Sequence, residues 1–353
     1  MWQALHDAWW RLATQRTPHS SFVDTLACGA LKTISLVYEA LVTLRNAAYD
    51  LGWARKVQLP CRVVSVGNLT VGGTGKTTCV AFVAQRLTAL GRRVAILSRG
   101  YGGSRRVYCL QWQDGRLQVN GGESARLDGL ADEPQLLARC LEGVPVLVGS
   151  RRAQTGRTAC ARFKADTLVL DDGFQHRRLA RDCDIVLIQA RMPPEGWGLL
   201  PRGPMREPIA SLRRADVVVV LGAPTAPDVL AACRRRLQEL NPQATVVSAV
   251  HEPTGLREAF SEASVALGGL LGRRVGLLSS IGDPLAFEET IRRLGAAAAW
   301  HQAFPDHHRY GAADWARVGA RVQSERVEAL VTTEKDWVRL RPVVAARGSS
   351  SPV

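Results

Sequence analysis

Between residues 62 and 78 the chain reads RVVSVGNLTVGGTGKTT, an apolar run that enters a glycine-rich loop and then a helix-forming segment. Phosphate oxygens need backbone N–H groups converging on them with no Cβ in the way, which Gly72, Gly73 and Gly75 allow around Thr74. Lys76 adds a mobile positive charge, Thr77 a hydroxyl suited to Mg2+, and Thr78 continues the first helical turn. Thr70 stands where the strict pattern has its first glycine, but the strand before and the helix after still point to a nucleoside triphosphate. Such a loop requires a carboxylate at the end of a nearby apolar strand, and TLVLDDGFQHR from Thr167 to Arg177 offers Asp171 and Asp172. Adjacent acids point in different directions, so one can serve the metal while the other holds substrate or caps the next turn.

Two further places carry acid–base groups. Asp132 and Glu133 precede Pro134 at the start of a predicted helix, and FPDHH brings Asp306, His307 and His308 together in a loop. Phosphoryl transfer to an alcohol needs a carboxylate or imidazole beside the attacking hydroxyl and cations on the migrating group. A histidine in such a loop is as readily structural as catalytic.

These residues need a scaffold, and the pattern supplies one. From Arg62, short apolar runs alternate with helical segments, which predicts a parallel sheet with helices on both faces. The stretch 105–119 interrupts it with Asp114-Gly115 between two alternating runs, which reads as a β-hairpin. After Asp184–Gln189 comes a Pro- and Gly-rich connection from Met192 to Pro208, and the alternation then starts afresh at Val217–Leu221. The expected organisation is an N-terminal helical segment over 1–58, a P-loop α/β domain over 59–209 and a second, smaller α/β domain over 210–345. The tail Ser349–Pro352 reads as frayed.

The first sixty residues differ from the rest. Leu26, Ala30, Ile34, Val37, Leu41 and Leu44 recur at helical spacing, as do Trp2, Leu5, Trp9 and Leu12, with Trp10 beside them. Such amphipathic faces suit a membrane surface, where tryptophan favours the headgroup level, and equally suit packing on the protein's own core.

Composition narrows the field. In 353 residues, 46 Lys plus Arg against 32 Asp plus Glu give a net charge of +14, which attracts polyanions without choosing among them. The arginines are scattered as pairs with no aromatic-interleaved pattern, so nucleic acid is not expected. Eight cysteines without a Cys-x-x-Cys pair argue against a zinc site or a disulfide framework and suit a reducing compartment. No apolar run is long enough to span a bilayer, and the polar stretch from Thr14 to Ser21 argues against a secretory or lipoprotein leader before Leu-Ala-Cys at 26–28.

Taken in order, VGNLTVGGTGKT (66–77), LSRGYGG (97–103), DEP (132–134), LDDGFQHRRLARD (170–182), LLPRGPMREP (199–208), FPDHHRY (304–310) and TTEKDWVRL (332–340) closely resemble the tetraacyldisaccharide 4′-kinases. The resemblance runs over nearly the whole chain. It implies two P-loop-type α/β domains, ATP and Mg2+, and γ-phosphoryl transfer to the 4′-hydroxyl of a tetraacylated glucosamine disaccharide 1-phosphate, forming lipid IVA in lipid A biosynthesis. It also implies a peripheral or monotopic site on the cytoplasmic face of the bacterial inner membrane, an anionic surface as partner and no obligate protein partner. Carried over by motif, Lys76 and Thr77 serve phosphates and metal, and Asp171 and Asp172 organise the metal and reacting groups. Asp132, polarised by His307, accepts the hydroxyl proton, with Glu133, Arg152, Gln175, His176 and Glu207 in supporting positions.

Three residues depart from the family pattern: Thr78 replaces a proline, Ala131 a glycine, and Gln189 an aspartate common after the IVLI strand, which puts a metal role there in doubt. Two other readings share the phosphate loop. A membrane-acting P-loop ATPase switch would phosphorylate no hydroxyl and leaves DHH unexplained, and a kinase for a soluble sugar or nucleoside would not need the Trp-rich amino terminus.

Overall fold

A computed structural model of the chain describes residues 22–72, 74–100, 107–120, 130–190, 198–222, 226–261 and 263–346, with side chains of the first helix from Cys28 onward. Trp2 to Leu12, Gly73, Tyr101–Gly103 of LSRGYGG, residues 192–197 of the Pro/Gly-rich connection and the 349–352 tail lie outside the described residues, as does the Leu26 side chain. The chain divides into two units, one of residues 1–130 and 137–250, the other of residues 131–136 and 251–353.

In the first unit, strands β1 (Arg62–Asn68), β2 (Val94–Ser98), β3 (Tyr108–Gln113), β4 (Arg116–Asn120), β5 (Val146–Val148), β6 (Thr167–Asp171), β7 (Cys183–Gln189), β8 (Val217–Leu221) and β9 (Thr245–Ala249) form one sheet in the order β4-β3-β5-β2-β6-β1-β7-β8-β9. Every pairing is parallel except those of β3, which turns back through Asp114-Gly115 into β4 and runs antiparallel to β5. Strands such as β2 (VAILS) and β6 (TLVLD) are buried at every position, the mark of a parallel sheet covered on both faces. Val94 and Ile96 join the core beneath α2 (Lys76–Ala89), whereas Ala95 and Leu97 join the one beneath α4 (Arg152–Phe163). Successive side chains of a strand point to opposite faces, so one short run builds two cores.

This sheet corrects the expected boundary at 210. β8 pairs with β7 from Ile185↔Val217 onward and β9 pairs with β8, so both strands and α5 (Pro227–Leu240) between them extend the first unit to Val250. An all-apolar run such as VVVVL gains most by burial on an existing sheet edge, and the Pro/Gly-rich connection returns the chain to that sheet. The described helix of the amino-terminal segment belongs to the same unit. Helix α1 (Phe22–Asp50) is bonded into the first unit through Ser35 Oγ to the Leu199 carbonyl (2.8 Å), Tyr38 OH to the Arg206 carbonyl (2.8 Å) and Asn46 Nδ2 to Glu207 (2.9 Å).

Those contacts lie on one side of α1. Ile34, Val37, Leu41 and Leu44 on another side are 55 to 63% exposed, so the apolar stripe read from the sequence faces away from the described core. No helix among the described residues is long and apolar enough to cross a membrane.

The second unit holds a three-stranded parallel sheet, β13-β12-β14, of β12 (Arg274–Ser279), β13 (Ala297–Ala303) and β14 (Ala329–Thr332), and a short antiparallel pair, β10 (Leu256–Arg257) and β11 (Ser264–Val265). Its helices are α6 (Pro284–Arg293), α7 (Ala312–Ser324) and α8 (Glu334–Ala345). One core gathers Leu278, Trp300, Trp315 and Leu340, and a second gathers Val275, Leu277 and Ile291. Residues 131–136, which include the first turn of α3 (Asp132–Cys140), group with this unit although β5 follows them in the other.

Candidate active site

β1 ends at Asn68, and the loop behind it is organised by that side chain. Asn68 Nδ2 donates to Thr74 Oγ1 at 2.7 Å, while its Oδ1 accepts from Lys76 Nζ at 3.3 Å. Lys76 Nζ also reaches the Gly72 carbonyl at 3.4 Å, and Gln175 Nε2 donates to the Asn68 carbonyl at 2.9 Å. Gly72 and Gly75 adopt φ of 99° and 71°, the left-handed region that a side chain resists. Gly75 caps α2, and the positive end of a helix at that point suits an anion. Neither Asn68 nor its role was singled out in the sequence reading, though it lies inside the quoted motif.

β6 lies beside β1 with Val66 opposite Asp171, which brings the two strand-end acids to the edge from which the phosphate loop springs. Ser98 Oγ donates to Asp171 Oδ2 at 3.0 Å. Asp172 sits at φ 51°, and Arg152, itself buried, donates to the carbonyls of both Asp171 and Asp172 and so holds this turn. Gly173 makes the turn possible: a Cβ there would lie 2.6 Å from Ser65 Oγ and 2.7 Å from Leu170 Cβ. The Asp172 carboxylate receives Arg206 Nη1 at 2.9 and 2.8 Å and faces Lys76 Nζ at 3.9 Å. Burial alone would raise this carboxyl, but Lys76, Arg206 and Arg152 outweigh it and keep the group ionised below the usual range. Arg206 is a second residue the sequence reading quoted without assigning.

The supporting positions separate. Gln175 bridges Asn68 and Arg206, and His176 is pushed down to about 4 by burial and by Arg152, Arg181, Arg45 and Arg99, so its ring is neutral near pH 7. Glu207 is buried, and its partners Asn46 and Arg214 make it a brace between α1 and the following turn. Among the described residues no group of three or more His, Cys, Asp and Glu side chains gathers as a metal site. The oxygen donors at the loop, the Thr77 hydroxyl and the two aspartates, suit a hard cation that also takes phosphate oxygens.

In the second unit, His307 Nδ1 lies 3.1 Å from Asp132 Oδ2. His307 is held at φ 59°, a strained conformation for a non-glycine residue. Its Nε2 faces Lys335 Nζ at 3.3 Å, Asp306 at 3.8 Å and Glu133 at 3.9 Å. Burial pushes the Asp132 carboxyl up, yet the hydrogen bond and charge of His307, with Arg339 and Lys335, hold it down to about 2. The same hydrogen bond from Asp132 raises His307 above its ordinary value, against burial and the Lys335 charge. An ionised carboxylate and an imidazole thus form one hydrogen-bonded pair, an arrangement able to take a proton from an alcohol. His308 is directed elsewhere, to Asp314 at 3.0 Å. A second chain, Ser279 Oγ to His301 Nε2 (2.7 Å) and His301 Nδ1 to Glu288 (3.0 Å), has the order of a hydrolase triad, but Ser279 is fully buried and serves as an internal strut.

A phosphate loop on an inner strand of a mostly parallel sheet, with strand-end acids beside it and a separate carboxylate–imidazole pair, is the arrangement of a P-loop kinase. The family model described as tetraacyldisaccharide-1-P 4′-kinase (LpxK) matches residues 28–350. The chain is 44% identical to a tetraacyldisaccharide 4′-kinase of Anaeromyxobacter dehalogenans over 97% of its own length and 87% of the relative's, and 42% identical to one of Syntrophus aciditrophicus over 89% and 84%. Its fold is similar to the crystal structure of LpxK from Aquifex aeolicus in complex with ATP, with a TM-score of 0.68 and 32% identity over 89% of this chain and 90% of that one. The chain belongs to this family of ATP-dependent kinases of lipid A biosynthesis.

Proposed function

We propose that this chain transfers the γ-phosphoryl group of MgATP to the 4′-hydroxyl of a tetraacylated glucosamine disaccharide 1-phosphate, working from the cytoplasmic surface of the bacterial inner membrane. The observation that carries this reading is the Asp132–His307 pair, since a nucleotide switch that only hydrolyses ATP has no acceptor alcohol to deprotonate. The loop amides and Lys76 bind the phosphates of ATP, and Asn68 aims the Lys76 ammonium. Mg2+, when held by the Thr77 hydroxyl with Asp171 and Asp172, would offset the charge on the β- and γ-phosphates. Lys76, Arg206 and Arg152 keep Asp172 ionised, the state a metal-holding carboxylate needs. Asp132 and His307 act as one acceptor for the proton leaving the hydroxyl, and Glu133 with Lys335 borders that pair.

The exposed stripe of α1 addresses where the substrate resides. Ile34, Val37, Leu41 and Leu44 can enter the headgroup boundary, while a net charge of +14 attracts anionic lipid. Neither attraction needs to be strong alone. This face speaks against a kinase for a soluble sugar.

The test is transfer of 32P from γ-labelled ATP by the full chain, with tetraacyldisaccharide 1-phosphate in mixed detergent micelles as acceptor. Mg2+-dependent labelling of the lipid that disappears in Lys76→Ala is the expected result. Hydrolysis of ATP with no labelled lipid would overturn the acceptor and favour the switch.

A further inference from the structure

Asp336 follows Lys335 in the TTEKDWVRL motif. Its carboxylate has no solvent exposure and receives four donors: the Ser280 N–H (3.1 Å), Tyr310 OH (3.1 Å), Thr333 Oγ1 (2.7 Å) and Arg339 Nη2 (2.7 Å). Arg339 is its one cationic partner among these. A buried carboxylate costs several kcal/mol unless a cation and hydrogen bonds compensate it, so Arg339 is committed to this position.

The same guanidinium does more than neutralise Asp336. Nη1 donates to Ser280 Oγ (3.2 Å) and to the His308 carbonyl (3.2 Å), and Nη2 to the Ser280 carbonyl (3.1 Å). Ser280 Oγ in turn donates to the Pro305 carbonyl (2.7 Å) and accepts the His308 N–H (2.9 Å). The loop on either side of His307 is thereby bonded on both flanks, where His307 itself sits in a left-handed conformation. At its other edge Arg339 Nε forms an ion pair, without hydrogen-bond geometry, 3.4 Å from Asp132 Oδ2, the oxygen that also faces His307.

We infer that Arg339, anchored on Asp336, is a positioning residue for the phosphoryl transfer: it fixes the His307 loop and the Asp132 carboxylate with one rigid fork. This rests on the reading of Asp132 and His307 as the proton-accepting pair. A planar guanidinium spans two carboxylates and two carbonyls in one geometry, and an ammonium at that position carries the charge without the span. The charged groups around the pair are Asp132 and Glu133 on α3, Asp306 beside His307, and Lys335 and Arg339 on α8. Loss of the Arg339 charge removes a cation from this set, so the pair then holds its proton more tightly.

The experiment measures kcat, KM for both substrates and the pH profile of kcat for the full-length wild type, Arg339→Gln, Arg339→Lys and Asp132→Asn, with a thermal melt of each. Arg339→Gln is expected to lose about a hundredfold in kcat with the KM for ATP nearly unchanged, and its kcat midpoint moves to higher pH. Arg339→Lys, which keeps a charge, is expected to retain the wild-type midpoint and still lose about tenfold in kcat, since the fork geometry is gone. Wild-type kcat in Arg339→Lys overturns the geometric role. If Arg339→Gln is too unstable to assay, the Arg339→Lys result decides. A wild-type midpoint in a folded Arg339→Gln, with kcat lost only in proportion to unfolded protein, leaves Arg339 a structural residue. Near-normal turnover in Asp132→Asn would overturn the proton-accepting pair itself, whereas its loss beside unaltered Arg339 variants overturns only the present inference.

Discussion

The two acid clusters of this protein are built in opposite ways. In the first unit the phosphate loop and Asp171–Asp172 come from strand ends that sit side by side, and Asn68 reaches Thr74 and Lys76 across six and eight residues of chain. In the second unit Asp132 and His307 meet across 175 residues, and Asp132 is there only because residues 131–136 fold with that unit. The electrostatics differ as well. Both carboxylates are held ionised, Asp172 by fixed cations and Asp132 largely by an imidazole that itself titrates above its ordinary value. In the proposed mechanism the first cluster supplies fixed charge and the second takes up a proton.

Breaking the proton-moving half should cost most. Asp132→Asn is expected to lower kcat by about 10²–10⁴-fold while leaving ATP affinity nearly unchanged, read by single-turnover kinetics and nucleotide binding. An equal loss in both would merge the two roles that the comparison separates.

The pH profile sharpens the same contrast. A proton acceptor must be unprotonated, and Asp132 raises His307 above the ordinary imidazole value of 6.5, so kcat is expected to rise with pH through a midpoint above that value. In Asp132→Asn the supporting carboxylate is gone and the residual midpoint should fall. An Asp172-dependent midpoint in this range would place the titration in the wrong cluster.

A smaller effect is expected from the turn that aims the fixed charge. Gly173→Ala puts a Cβ 2.6 Å from Ser65 Oγ and 2.7 Å from Leu170 Cβ, which should cost about 1–3 kcal/mol of stability and lower the melting temperature. Unchanged melting would mean that the turn has room to move.

The smallest effect concerns Thr78, where the family pattern has proline. Its N–H is in the first turn of α2, before the ladder bond from the Cys79 N–H to the Gly75 carbonyl, so Thr78→Pro removes no intrahelical bond. Stability should change by no more than about 0.5 kcal/mol in a denaturant melt.

Much of this was legible from residue types. The phosphate loop, the strand-end acids and the Asp114-Gly115 hairpin are local patterns whose chemistry and turn geometry depend on neighbours in the chain. The boundary at 210 was misplaced because a Pro/Gly-rich connection looks the same whether it leaves a sheet or rejoins it, and only the pairing of β8 with β7 distinguishes these. The helical stripe of α1 carried no sign of which face was packed. Ser35, Tyr38 and Asn46 hold the other side by hydrogen bonds to the 199–207 segment, a signal that apolar periodicity does not contain. Glu207, expected in a supporting position, is buried against Asn46 and Arg214, while its neighbour Arg206, given no role from the sequence, reaches Asp172.

By itself the sequence determined the class of chemistry, because phosphate recognition needs glycine, lysine and threonine at fixed short spacing and a parallel sheet needs buried apolar runs. Tertiary structure decided which remote acid meets which imidazole, which cations hold each carboxylate and which face of α1 is left open. Charges interact through space over a few ångströms, and the chain folds such distances out of separations of a hundred residues or more, where no local pattern records them.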